Sequence, residues 1–342
     1  MAAHSFVRRF FAEKSRLPFD DGFAILIKKK GGDDVRKILP IILLISLLMG
    51  CAASEPYAQQ TVFCMDTVMD IQIWGKDCQR AMDAVVQLLQ DLEKTWSATD
   101  EGSFLSALNR GEGSADSEQQ ALLDQALALR EKTGGAFEPQ LGSVIALWGF
   151  YDDVHRVPGS EELENAKLQP KWDLGAIVKG YAGSQIGKLL ETYDVDRAMI
   201  NLGGNVQTYG SKPDGQSWKV GIQNPAGGDA LGVLSVAGTM AVVTSGDYQR
   251  YFEQDGIRYH HILDPETGLP ADSGLRSVTV LCADGTVADA LSTALFVMGL
   301  EEACAFWREN RDFEAVFLLT DGRIFATEGA ALSGCTYEVI LP

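Results

Sequence analysis

Between residues 79 and 96, apolar side chains recur at Met82, Val85, Val86, Leu89 and Leu92. That is the period of an amphipathic helix. Just before it, residues 61–74 (TVFCMDTVMDIQIW) alternate apolar and polar and predict a strand pair or one long bent strand. Residues 98–113 read as a loop with a short helix ending near Asn109. A second helix is expected over 117–133, capped by Asp116 or Ser117 and ended by Gly134-Gly135, and a third over 175–193. From 198 to 243 short strands succeed one another (NLGGNVQTYG, SWKVGIQNP, LGVLSV, MAVVTSG), separated by Gly, Asn and Pro. Residues 249–253 and 257–263 predict a hairpin, because the Asp255-Gly256 pair between them tolerates positive φ. Helices are expected over 289–298 and 301–310, and strands over 314–319, 323–326 and 337–341. Strands come in runs and helices are grouped elsewhere, which predicts an α+β fold with mixed antiparallel sheets. Gly203-Gly204 lacks the G-x-G-x-x-G spacing of a dinucleotide fingerprint.

The beginning of the chain carries a different pattern. Residues 38–49 (ILPIILLISLLM) form an apolar run too short for a mature spanning helix, preceded by Arg36 and Lys37. It ends in Leu48-Met49-Gly50-Cys51, which resembles a bacterial lipobox; Cys51 would then be acylated and become the mature N-terminus. A plain signal peptide or an N-terminal anchor helix is the alternative. The expected organisation is a long leader with signal peptide over 1–50, a tether over 51–60 and one catalytic domain over 61–342. VRKILPIILLISLLMGC is a complete signal by itself, so translation is expected to start near Val35.

The formal net charge is −18, a surface that repels nucleic-acid phosphates, and no nucleic-acid partner is expected. Setting Cys51 aside leaves five cysteines, an odd number with no metal spacing, so at least one free thiol is expected.

The candidate chemistry is concentrated in residues 244–270 (TSGDYQRYFEQDGIRYHHILDPETGLP) and in Ala288-Asp289-Ala290-Leu291-Ser292-Thr293. On a helix Asp289 and Thr293 are i and i+4 and share a face. A carboxylate and a hydroxyl there make part of an oxygen-donor site for Mg2+; the alternative is a dipole-paired Asp with Thr in the core. His260 and His261, adjacent on a strand, face opposite sides. His261 is the better base, with Asp264 close enough in sequence to hold its tautomer and with an imidazole titrating near its ordinary value. Asp173-Leu174-Gly175 opens a helix whose free amides, with Lys179, suit a phosphate-bearing ligand; an Asp N-cap with a solvent-facing Lys fits as well.

Taken in order, Met65-Asp66-Thr67, SATDEGSFLSALN, GGAFEPQLGSVIALWGF, the 173–181 segment, NLGGN, 244–270 and 288–299 resemble the ApbE family of FAD:protein FMN transferases. The resemblance implies a T-fold-like single catalytic domain. Its expected activity is transfer of FMN from FAD to a Thr or Ser hydroxyl of a partner protein acting in trans, with AMP released and Mg2+ required. It implies metal ligands at Asp289, Thr293 and the Ala176 carbonyl. It also implies flavin-nucleotide contacts at Met65, Ala136, Phe137, Glu138, Asp173, Lys179 and Leu263, with His261 as base and Asp264 beside it. The chain departs from the family at Asp66, where Gly is frequent, and at Glu138, where Asp is usual. The alternatives are a non-catalytic flavin-binding lipoprotein and a pyrophosphatase yielding FMN and AMP. With the lipobox, the expected location is extracytoplasmic, lipid-anchored to the bacterial cell membrane.

Overall fold

The chain is paired into strands from Tyr57 onward. In the computed structural model, residues 55–342 are described, apart from 152–153 and 213–214. The signal peptide, the lipobox with Cys51 and the start near Val35 lie outside the described residues. The first part of the fold runs β1 (Tyr57–Cys64), β2 (Thr67–Trp74), α1 (Cys78–Trp96), α2 (Phe104–Asn109), α3 (Ser117–Lys132), α4 (Gly142–Trp148), α5 (Ser160–Lys167) and α6 (Val178–Leu190). Then come β3 (Arg197–Leu202), β4 (Asn205–Tyr209), β5 (Trp218–Ile222), β6 (Gly232–Val236), β7 (Met240–Gly246), β8 (Tyr251–Gln254), β9 (Ile257–His260) and β10 (Leu275–Cys282). The chain closes with α7 (Gly285–Glu309), β11 (Phe313–Leu319), β12 (Ile324–Thr327), β13 (Leu332–Ser333) and β14 (Glu338–Ile340).

A nine-stranded sheet in the order β1-β2-β3-β4-β7-β10-β11-β12-β14 is antiparallel except for the β12–β14 pair. Side-chain alternation sorts its two faces. Val278, Val280 and Cys282 of β10, with Phe313, Ala315 and Phe317 of β11, pack against α7. Leu281, Val316 and Leu318 point the other way, onto the small β13-β6-β5 sheet through Trp218, Val220 and Leu234. Helices α1 and α6 cover β1–β3 on the α7 side, with Met69, Ile71 and Ile73 against Val85 and Leu89. The result is a helix–sheet–sheet layering, the α+β class expected.

Several boundaries differ from the sequence expectation. Residues 57–60 are strand, not tether: they pair with 71–74, Ala58 is buried, and the Tyr57 ring lies 4.9 Å from that of Trp74. The 61–74 stretch resolves into a hairpin turning at Met65-Asp66, both at positive φ (49° and 59°). Helix α6 starts at Val178, three residues late, because the Asp173 carboxylate accepts from Gly175 N (2.8 Å) and holds a turn that competes with helix. Helix α7 starts early, at Gly285, capped by Asp284, whose Oδ1 accepts from Thr286 N (2.8 Å). The expected break between two helices is Gly299, at φ 75° inside α7. Strand β10 carries no clean alternation because both its faces are buried. Cys64, Cys78, Cys282, Cys304 and Cys335 are all free thiols.

Candidate active site

A cleft of about 680 Å³ opens where the turns at one end of the large sheet meet the start of α6. That is the size of a small-molecule site. One lip is the Met65-Asp66 turn, where Met65 N donates to Glu93 Oε1 at 2.7 Å. Beside it, Gly203 (φ 72°) leaves no room for a side chain, since a Cβ there would lie 2.1 Å from Thr67 Oγ1. The second lip is formed by Tyr248, Gln249 and Arg250 and by the 261–265 segment, which flank the β8–β9 hairpin.

The floor is set by close packing of α6 on α7. Gly180 has no space for a Cβ, which would meet Gly285 O at 2.0 Å and Asp289 Cβ at 2.6 Å. That approach lets Gly180 N donate to Asp289 Oδ2 at 2.7 Å. Gly180 is the third residue of α6, one of the amides a helix cannot satisfy internally. The N-terminal amides expected to cradle a phosphate are therefore partly taken by a carboxylate supplied from α7. Burial raises the Asp289 carboxyl above its usual value; the Lys179 charge and the Gly180 N–H oppose that shift. Thr293 Oγ1 lies 3.3 Å from Ser245 Oγ, which also bonds Ser292 Oγ at 2.8 Å. Ala176, Ser245, Asp289 and Thr293 all line the cleft. A buried carboxylate with hydroxyl and carbonyl oxygens beside it is a hard-oxygen donor set that fits Mg2+. It is short of protein ligands: no group of three His, Cys, Asp or Glu side chains suited to a metal occurs among the described residues. Mg2+ tolerates this, since it commonly takes one or two carboxylates and completes its shell with substrate phosphates and water.

The two histidines have different surroundings, although the strand expected over 257–263 ends at His260 and His261 lies just beyond it. His260 is buried, its Nε2 lies 3.2 Å from Ala271 O, and its ring meets the edge of Phe296. His261 lines the cleft. Its Nδ1 lies 3.1 Å from Arg250 O. A carbonyl can only accept, so Nδ1 carries the proton and Nε2 keeps the lone pair. Arg250, and not Asp264, thus holds the tautomer. The Asp264 carboxylate is turned to the backbone N of Glu266 (2.8 Å), shaping the 264–269 turn, and does not line the cleft. Desolvation, with Arg250 and Lys179 nearby, pushes the His261 imidazole down to about 3, well below the ordinary range expected from sequence.

The residues matched to nucleotide contacts gather in the same cleft: Met65, Ala136, Phe137, Glu138, Asp173, Lys179 and Leu263 line it. Three of their side chains are already engaged. Lys179 Nζ donates to Gly175 O at 3.2 Å. Glu138 pairs with Arg130 and accepts from Gln140 N at 3.0 Å. Asp173 accepts from Gly175 N at one oxygen and from the Tyr151 hydroxyl at the other. Burial and the Asp173 charge raise the Tyr151 phenol, which stays neutral and donating. Sequence reasoning missed Tyr151, Glu93, Gly180, Ser245 and Arg250. The glycine at 180 was the available signal, sitting inside a helix that otherwise has no use for it.

Comparisons with known proteins bear on the family and the fold. The ApbE family model matches residues 65–317. The FAD:protein FMN transferase of Treponema pallidum is 37% identical over 77% of this chain and 84% of its own length. That of Vibrio cholerae is 29% identical over 84% of this chain and 95% of its own. Among solved structures, the ApbE protein of Thermotoga maritima superposes with a TM-score of 0.75 at 33% identity, over 80% of this chain and 97% of that one. The flavin transferase ApbE from Vibrio cholerae gives 0.71 at 26% identity, over 80% and 98%. With the family model covering most of the chain and the cleft built from the same segments, the chain belongs to the ApbE family.

Proposed function

We propose that this protein is an FAD:protein FMN transferase that joins FMN to a Thr or Ser hydroxyl of a partner protein and releases AMP. The observation that carries the reading is the meeting, in one cleft, of a lone-pair-bearing His261 with the Asp289–Thr293 pair. In the step proposed, the acceptor oxygen attacks the phosphorus on the riboflavin side of the FAD pyrophosphate. A new P–O bond forms, the P–O–P bridge breaks, and AMP leaves with the bridging oxygen. His261 Nε2 takes the hydroxyl proton. Lys179 places a positive charge beside the phosphates. Asp289, Thr293 and the Ala176 carbonyl would hold Mg2+, which when bound neutralises pyrophosphate charge and orients it for in-line displacement.

The test is Asp289→Ala, which removes the one charged ligand in this set. Transfer should be abolished while the fold remains; near-normal transfer at saturating Mg2+ would refute the metal site.

The acceptor is an exported or membrane protein on this reading, because the lipobox at Leu48–Cys51 points to an anchored, extracytoplasmic enzyme. Cys51→Ser should release the protein from the membrane fraction or leave an uncleaved precursor. A mutant that stays membrane-bound after signal cleavage counts against acylation.

A further inference from the structure

We infer that Asp66 is a positioning residue for His261, acting through Arg250 across the mouth of the cleft. The inference rests on the reading of His261 as the base. The hairpin that leads into His261, β8–β9, is a two-stranded sheet of its own, separate from the nine-stranded sheet that carries Ser245. Its placement beside the cleft is supported by side-chain contacts on two sides. On one side Phe252 and Tyr259 of the hairpin pack on Trp148. On the other, Arg250 Nη2 pairs with Asp66 Oδ2 at 2.7 Å. This ion pair ties the hairpin lip to the β1–β2 lip.

Arg250 is also the residue whose carbonyl holds His261. That oxygen accepts from His261 N at 3.0 Å and from Nδ1 at 3.1 Å. The chain of contacts runs from the Asp66 carboxylate to the Arg250 guanidinium, and from the Arg250 carbonyl to the imidazole. Asp66 sits at φ 59°, a left-handed turn position where Gly is the ordinary choice and Asp and Asn are tolerated. The carboxylate is thus not required by the turn, and Asn or Gly can replace it there without new backbone strain.

The pair is exposed, so its contribution is that of a surface ion pair. Asp66→Asn and Asp66→Gly should each lower kcat for FMN transfer by about two- to five-fold, with KM for FAD unchanged. In a His261→Ala background the same substitutions should have no further effect, because they act through the base. If the Asp66 loss falls on KM for FAD instead, the residue shapes the Met65 turn and not the base, and the inference is overturned. An undiminished Asp66 effect beside a crippling His261→Ala overturns this inference alone. A His261→Ala enzyme as fast as the parent overturns the base reading and this inference with it.

Discussion

Gly180 N donates to Asp289 Oδ2 at 2.7 Å, so the buried carboxylate of α7 caps the first turn of α6. The hydrogen bond and the positive end of the helix favour the ionised form and oppose burial, which still leaves this carboxyl raised. The bond is bought by a glycine-to-glycine contact, Gly180 on Gly285, that admits no Cβ on either side.

Gly180→Ala should therefore fail in two ways. The added methyl meets the Gly285 carbonyl oxygen, and overpacking of this kind costs about 1–3 kcal/mol. A thermal melt should show a lower midpoint, and cation binding should weaken as α6 is pushed off Asp289. A melt and a Mg2+ titration both matching the parent would show that the helices part freely.

The raised Asp289 carboxyl gives a pH signature. Without metal the folded state holds this proton more tightly than the unfolded chain, so the group's contribution to stability is lost as pH rises through the raised value. Mg2+ requires the ionised form and competes with the proton. The gain in melting temperature on adding Mg2+ should be larger at about pH 8 than at about pH 5. A gain independent of pH, or absent in the parent, would count against Asp289 as a ligand.

The histidines make a paired prediction. His261→Ala should slow transfer by about 100- to 10,000-fold while FAD binding persists, and His260→Ala should stay within a few-fold. Because the folded His261 imidazole lies near 3, kcat/KM should show no inflection near the ordinary imidazole value. The same depression costs stability in acid: the unfolded chain takes up this proton as pH falls below about 6.5, and the folded protein resists it until about 3. A sharp fall in kcat/KM centred near 6.5 would place the base in water and not in this cleft.

Thr293→Val tests the hydroxyl in the oxygen set. Thr293 is backed by Ser245 (3.3 Å), and the Asp289 carboxylate stays in place. The loss should be about ten- to a hundred-fold, the scale of one hydrogen bond to a charged group, and smaller than that of Asp289→Ala. Equal losses in the two variants would contradict the ranking.

What the sequence revealed and what it hid follow one rule. Local relations were legible: the i, i+4 face of Asp289 and Thr293 and the Asp255-Gly256 turn. Each depends on a backbone period that acts over a few residues. Relations across the fold were not. Gly180 and Asp289 are 109 residues apart, and Asp66 and Arg250 are 184 apart. Asp264 illustrates the hazard of proximity in sequence. Its place in the sequence suggests the carboxylate for His261, but its turn uses the side chain locally, and the carbonyl of Arg250, just before β8, takes the role. Strand β10 escaped because burial on both faces erased its alternation.

The central claim is transfer of FMN to a protein hydroxyl. It is tested most directly by incubating the enzyme with FAD, Mg2+ and a candidate exported acceptor, then measuring the intact acceptor mass. The account predicts a mass gain of one FMN less one water on a single Thr or Ser, with AMP released in equal amount. Release of free FMN and AMP with the acceptor unchanged would make the protein a pyrophosphatase. FAD recovered intact with panels of exported acceptors would make it a binding module, and either result would contradict the account.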